Sequence, residues 1–311
     1  MLDSIQAKKR VLITGGSGYI GSQVVAKLEE NQVEYLSIDK LNPSSGRKLR
    51  FNLCNKEKTL QAIEEFKPNV VIHAGTHSAN AYAKNFFPSF QEDFNGLSNI
   101  LEALSKILDT RLVYFSSSYV YSGLEGEDNV GENSLLRPSH NFGIAKSFFE
   151  QFILKNHPNS VVFRLSSVFG PGNALSPNAI YNMISESLEK GQLSVWGLGT
   201  RRMQYIYIKD VVRFIERSIF LEAGIYNLGG DDYVSVADAA KIISQFFESK
   251  VVFLKDKTEG ETFPFMDSSK LKKATGDGFS PFPKALMEYL NSSHKPKFNK
   301  SEYAFQRKID K

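Results

Sequence analysis

Five short runs of β-branched and apolar residues punctuate the first half of the chain: RVLIT (10–14), EYLSI (34–38), NVVIH (69–73), RLVYFSS (111–117) and SVVFRL (160–165). Turn-forming or polar residues bound each run, and such near-continuous apolar stretches predict strands buried on both faces. Between them, segments 20–31, 56–66, 89–108 and 141–156 repeat apolar positions at helical spacing, with Pro88 and Pro138 marking the entries to the last two. Strand alternating with helix predicts a doubly wound α/β fold, because right-handed crossovers place helices on both faces of a parallel sheet. Beyond about residue 170 the pattern loosens. GPGNALSPN is loop-like, and the shorter runs LSVW, YIYI, IYNLGG and KVVFL predict a smaller C-terminal α/β lobe. In an open α/β sheet a ligand binds beyond the carboxyl ends of the strands, so such a lobe would close a cleft there.

The first strand runs into Thr14-Gly15-Gly16-Ser17-Gly18-Tyr19-Ile20-Gly21, which fits GxxGxxG through Gly15, Gly18 and Gly21. Gly15 permits the tight turn, Gly18 lets backbone N–H groups approach a pyrophosphate, and Gly21 lets the helix pack close to the strand. Tyr19 and Ile20, at the entry to helix 20–31, are expected to contact the cofactor beside Gly15, Gly18 and Gly21, where the helix N–H groups and dipole favour a negative charge. Asp39 follows the second strand, 18 residues beyond Gly21. A carboxylate there accepts hydrogen bonds from ribose hydroxyls and repels a 2′-phosphate, so the unit is expected to bind NAD, although Lys40 beside it could blunt the repulsion. The expected organisation is a Rossmann domain over residues 1–170 with later segments returning to it, a substrate lobe over 171–292, and a tail over 293–311.

Charge adds little to this picture. The net charge of +4 is accounted for by residues 293–311, which hold six basic and two acidic side chains. With the body near neutral, neither nucleic acid nor a membrane surface is expected as a partner. Cys54 is the single cysteine and cannot form an internal disulfide; it is expected to be a small core residue. The N-terminal MLDSIQAKKR lacks an apolar h-region and no run reaches the length of a membrane span, so a cytoplasmic location is expected. His73 has no second ligand at metal-binding spacing, and no metal is expected.

Eight motifs, in order along the chain, resemble the extended short-chain dehydrogenase/reductase family and its NAD-dependent epimerases and dehydratases of nucleotide sugars. They are TGGSGYIG, VIHAG, DFNGLSNILEA, FSSSYVY, FGIAK, FRLSSVFGPG, GLGTRRMQYIYIKDV and MDSSKLKKATG. The resemblance implies catalysis by a Ser or Thr with a Tyr-x-x-x-Lys pair, in which a tyrosinate takes the hydroxyl proton while hydride passes to nicotinamide. Ser117 matches the hydroxyl position, with Ser118 beside it, and Lys146 matches the lysine. Four residues before Lys146, where the family has its tyrosine, stands Phe142. A phenylalanine keeps the ring but carries no proton, which removes general-base help worth roughly 100- to 10,000-fold. Either Phe142 is an engineered substitution that traps substrate in an otherwise intact site, or the natural protein works without the tyrosine. In the second case Tyr119, Tyr121 or His140 could stand in.

The resemblance further implies a nucleoside-diphosphate sugar as substrate, Asn95 near substrate and cofactor, and a homodimer built on helices 89–108 and 141–156. Guanidinium groups clamp diphosphates, which makes Arg201 and Arg202 candidate substrate ligands. Family dehydratases follow the Thr with Asp-Glu, whereas Ser118 and Tyr119 follow Ser117 here, which disfavours dehydration. The expected reaction is oxidoreduction at a sugar carbon, C4, by a 4-epimerase or 4-dehydrogenase/reductase. The rival expectation is a non-catalytic protein that binds NAD or a nucleotide sugar.

Overall fold

The computed structural model describes residues 9–41, 47–107, 109–124, 129–172 and 178–292. The basic tail and the first eight residues lie outside them.

Strands β1 (Arg10–Thr14), β2 (Glu34–Asp39), β3 (Lys48–Arg50), β4 (Val70–His73) and β5 (Arg111–Ser117) alternate with helices α1 (Tyr19–Glu30), α2 (Lys56–Phe66), α3 (Ala79–Lys84) and α4 (Phe86–Leu104). After the short β6 (Asn129–Val130) come α5 (Asn141–Asn156), β7 (Ser160–Leu165), β8 (Ser167–Phe169), α6 (Ala179–Lys190), β9 (Gln192–Trp196) and β10 (Arg202–Tyr207). Helix α7 (Ile208–Arg217), β11 (Gly224–Leu228), β12 (Tyr233–Ser235), α8 (Val236–Phe247), β13 (Lys250–Leu254), β14 (Phe265–Met266), α9 (Ser269–Thr275) and α10 (Phe282–Ser292) complete the described chain.

Seven strands form one parallel sheet in the order β11-β7-β5-β4-β1-β2-β3. Its apolar runs are continuous because successive residues bury opposite faces. Val11, Ile13, Val113, Phe115, Val161 and Phe163 join one core cluster. Leu12, Val71, Leu112, Tyr114 and Val162 join the other. Each fully buried Val, Leu or Ile contributes about 1.5–3 kcal/mol, so both helical layers are anchored by the same strands. The remaining strands make three small sheets, β12-β10-β8, β13-β9 and β14-β6. Among the described residues no helix is long and apolar enough to cross a membrane.

The structure departs from the sequence pattern in several places. The helix expected over 89–108 begins at Phe86, with Pro88 inside its first turn, where the N–H that proline lacks has no intrahelical partner anyway. A separate helix, α3, precedes it, capped by the Ser78 hydroxyl, which accepts from Ala81 N at 3.3 Å. The IYNL run leaves the C-terminal half and adds β11 to the edge of the main sheet beside β7. Cys54, expected in the core, is half-buried, its Sγ donating to the Glu92 carbonyl at 3.4 Å.

Candidate active site

Strand order reverses between β1 and β4, whose last residues, Thr14 and His73, are paired in register. The cleft lies at this switch point. Gly15 and Gly18, Asp39, His73 and Thr76, and Glu92 and Asp93 line it together. Gly15 holds φ at +71°, and a Cβ there would come 2.6 Å from the backbone of Gly75. A Cβ on Gly21 would collide with the carbonyl oxygen of Gly15. The turn therefore brings three backbone segments too close for any side chain. No side chain caps α1 at Gly18, which leaves its first-turn N–H groups for an anion. Asp39 accepts from Ser17 N at 2.8 Å and Leu41 N at 2.9 Å, which fixes its carboxylate at the cleft. This glycine cradle, uncapped helix end and anchored acid fit the pyrophosphate and ribose of NAD. Tyr19, in the first turn of α1, donates its hydroxyl to the carbonyl of Gly170 at 3.0 Å and ties the cradle to the loop after β8.

His73 is fully buried at the base of the cleft. Gly75 N donates to Thr14 Oγ1 at 3.2 Å, and the same oxygen lies 2.6 Å from His73 Nδ1. The other ring nitrogen, Nε2, has no hydrogen-bond partner among the described residues. Burial pushes the imidazole pKa down to about 4.

Asp93 organises the next shell of charge. It accepts from His77 N, from His77 Nδ1 at 2.7 Å and from the Tyr82 hydroxyl at 2.9 Å. Burial would raise its carboxyl, but the His77 hydrogen bond and the Lys146 charge outweigh that and hold it below the usual carboxylate range. The same hydrogen bond raises His77. Asn95, the residue expected here, is instead exposed on α4 and does not line the cleft. Two helical positions span about 200°, which places Asp93 and Asn95 on opposite faces.

Lys146, on α5, is 3% exposed. Its ammonium donates to Phe115 O at 2.7 Å, Tyr114 Oη at 3.1 Å and Thr76 Oγ1 at 3.2 Å. Burial lowers its pKa to about 8, against the opposing pull of Asp93 and Glu150. The ring of Phe142, one turn earlier on α5, lies 5.4 Å from the ammonium and packs against Tyr82 and Tyr119. Ser117, at the end of β5, is nearly buried, its Oγ accepting weakly from Tyr119 N at 3.4 Å, and Ser118 follows it in a single 3-10 turn.

Of the three residues considered as replacements for the phenol, Tyr119 packs against the Phe142 ring and His140 packs against Tyr119. Tyr119 stands edge-on to both rings, at 5.5 Å from Phe142 and 5.2 Å from His140. His140 Nε2 lies 2.9 Å from Glu261 and so links the start of α5 to the C-terminal half. Tyr121 is excluded as a proton acceptor for substrate: it is fully buried, takes a hydrogen bond from Arg164 and lies within 3.0 Å of both Gly131 O and Asn227 Oδ1. Arg201 and Arg202 are held by the C-terminal half. Arg201 Nε donates to Glu261 O at 2.7 Å, and Arg202 donates to Tyr233 O while stacking 4.2 Å over that ring. Neither lines the glycine-cradle cleft.

Asp93, His77 and Glu92 escaped sequence reasoning. The signal was the helical phase of DFNGL, which places Asp93 and Gly96 on the buried side of α4.

Several known proteins are similar to this chain. A putative UDP-glucose 4-epimerase of Methanocaldococcus jannaschii is 28% identical over 290 residues, covering 87% of this chain and 93% of that protein. Methionine adenosyltransferase 2 subunit beta of Xenopus tropicalis is 25% identical over 303 residues, covering 91% and 87%. The UDP-glucose 4-epimerase of Thermus thermophilus, solved in complex with NAD, has a TM-score of 0.82 at 20% identity, covering 92% of this chain and 99% of that one. The sequence model of the NAD dependent epimerase/dehydratase family matches residues 11–229, and the chain belongs to that family, with NAD as its cofactor.

Proposed function

We propose that this chain binds a nucleoside-diphosphate sugar beside NAD and acts at a sugar carbon, C4, as a 4-epimerase or 4-dehydrogenase/reductase. The observation that carries the reading is the ammonium of Lys146 beneath the ring of Phe142, in the place where the family has a phenol. NAD, when bound, supplies the hydride acceptor. Ser117 is proposed to orient the reacting hydroxyl, and Lys146, by exchanging one of its present hydrogen bonds, to hold the cofactor ribose and to favour a negative charge at the ring edge. With phenylalanine at 142 the hydroxyl proton lacks its usual acceptor, so the chain as it stands binds better than it turns over. Arg201 and Arg202 are proposed to meet the diphosphate, by their position in the GLGTRRM loop.

A homodimer through α4 and α5 belongs to the same proposal. Phe87, Ile144 and Phe148 are exposed there, and Phe148 adjoins a stack of Phe90, Phe94 and Phe152. The test of function is turnover of UDP- and dTDP-hexoses by the protein and by Phe142→Tyr. A gain of about 100-fold or more in the variant is expected.

A second reading has its own support. Phe142, which removes the proton acceptor from the ring, favours a protein that binds NAD or nucleotide sugar without turning it over. Under that reading Phe142→Tyr gains no activity on any nucleotide sugar that binds.

A further inference from the structure

Asp39 is followed by Lys40, a cation one residue from the carboxylate that reads the adenosine ribose. A free ammonium at that point would reward a 2′-phosphate and weaken the preference for NAD. Lys40 is held elsewhere: its Nζ forms an ion pair with Glu92 of α4. Glu92 is itself fixed, its Oε1 accepting from Asn52 Nδ2 at 2.8 Å and its Oε2 lying 3.5 Å from His77 Nε2. Burial would raise its carboxyl, yet Lys40, Asn52 and His77 hold it below the usual range, so it stays charged. Arg50 lies opposite Asp39 in β3 and donates Nε to the Lys40 carbonyl at 3.2 Å.

All of these contacts except Arg50 sit on the wall of one cleft with the glycine cradle. Asp39, Glu92 and Asp93 stand on that wall with Lys40 and His77. An added phosphate dianion there meets the Asp39 carboxylate, while the ammonium beside it is engaged by Glu92.

We infer that Glu92 is a positioning residue for cofactor choice: by holding Lys40 it withdraws that ammonium from a 2′-phosphate and leaves Asp39 unopposed against NADP. The inference rests on NAD as the cofactor and names a second determinant, 53 residues from the first.

The test is binding of NADH and NADPH to the full chain, followed by nicotinamide fluorescence, for the protein, Glu92→Gln, Lys40→Met and the double variant. Glutamine keeps an oxygen for Asn52 and gives up the charge. Glu92→Gln is expected to raise NADPH affinity relative to NADH about tenfold, and Lys40→Met in that background is expected to abolish the gain. A purely structural role would weaken both dinucleotides in parallel. An unchanged ratio, or a gain that persists without Lys40, overturns the inference. Failure of the unsubstituted protein to bind either dinucleotide would overturn the cofactor assignment beneath it, a result distinct from an unchanged ratio.

Discussion

The ammonium of Lys146 lies 5.4 Å from the centre of the Phe142 ring and satisfies its protons on Phe115 O, Tyr114 and Thr76. A hydroxyl restored to that ring would enter the field of a buried cation. In Phe142→Tyr the added phenol is therefore expected to ionise below its ordinary pKa of about 10, titrating together with Lys146 as a pair. Ultraviolet difference titration against the parent protein reads the added phenolate. Lys146→Met in the same background should move its ionisation back upward.

Lys146 also sets a pH dependence of stability. Its folded pKa, about 8, lies below the 10.5 of an exposed lysine, so between those values the unfolded chain binds more protons. Stability from this group rises with pH across that window, by about 3 kcal/mol in all. Denaturant melts from pH 7 to 10.5 should show the rise in the parent protein and a flatter profile in Lys146→Met.

His73 gives the complementary acid-side effect. Its pKa falls from 6.5 to about 4 through burial, so the folded state refuses a proton that the unfolded chain accepts. Its contribution is fully present above pH 6.5 and is lost as pH falls through 4, about 3 kcal/mol in total. A His73→Gln variant is expected to lose less stability between pH 7 and 4 than its parent, measured by chemical denaturation at each pH.

Arg164 and Glu150 form a buried pair, 2% and 1% exposed, joined at 2.7 Å between β7 and α5. The Tyr121 hydroxyl and the Glu132 carbonyl take further protons of Arg164. Removing one partner strands a charge in the core. Glu150→Ala should cost about 3–5 kcal/mol, whereas replacing both residues by apolar groups of similar volume should cost far less.

The central sheet was legible because both-face burial writes itself as unbroken apolar runs such as VLIT and SVVF. The cofactor turn was legible because Gly15 and Gly21 occupy positions that no Cβ can share. Local pattern could not show β11 crossing back to pair with β7, since IYNL is as compatible with either sheet. Nor could it show contacts fixed only by tertiary packing. His140 meets Glu261 across 121 residues, and Lys40, just after β2, meets Glu92 on α4. The motif pointed to Asn95, whereas the helical phase turns Asp93 to the buried side of α4 and leaves Asn95 exposed.

The most direct measurement mixes Phe142→Tyr, loaded with NAD, with a UDP-hexose that binds and follows near-ultraviolet absorbance of reduced nicotinamide in a single turnover, beside the parent protein. Transient reduction in the variant, with little or none in the parent, is the expected result. Nicotinamide that stays oxidised in the variant across every nucleotide sugar bound would contradict an oxidoreductase site lacking only its phenol.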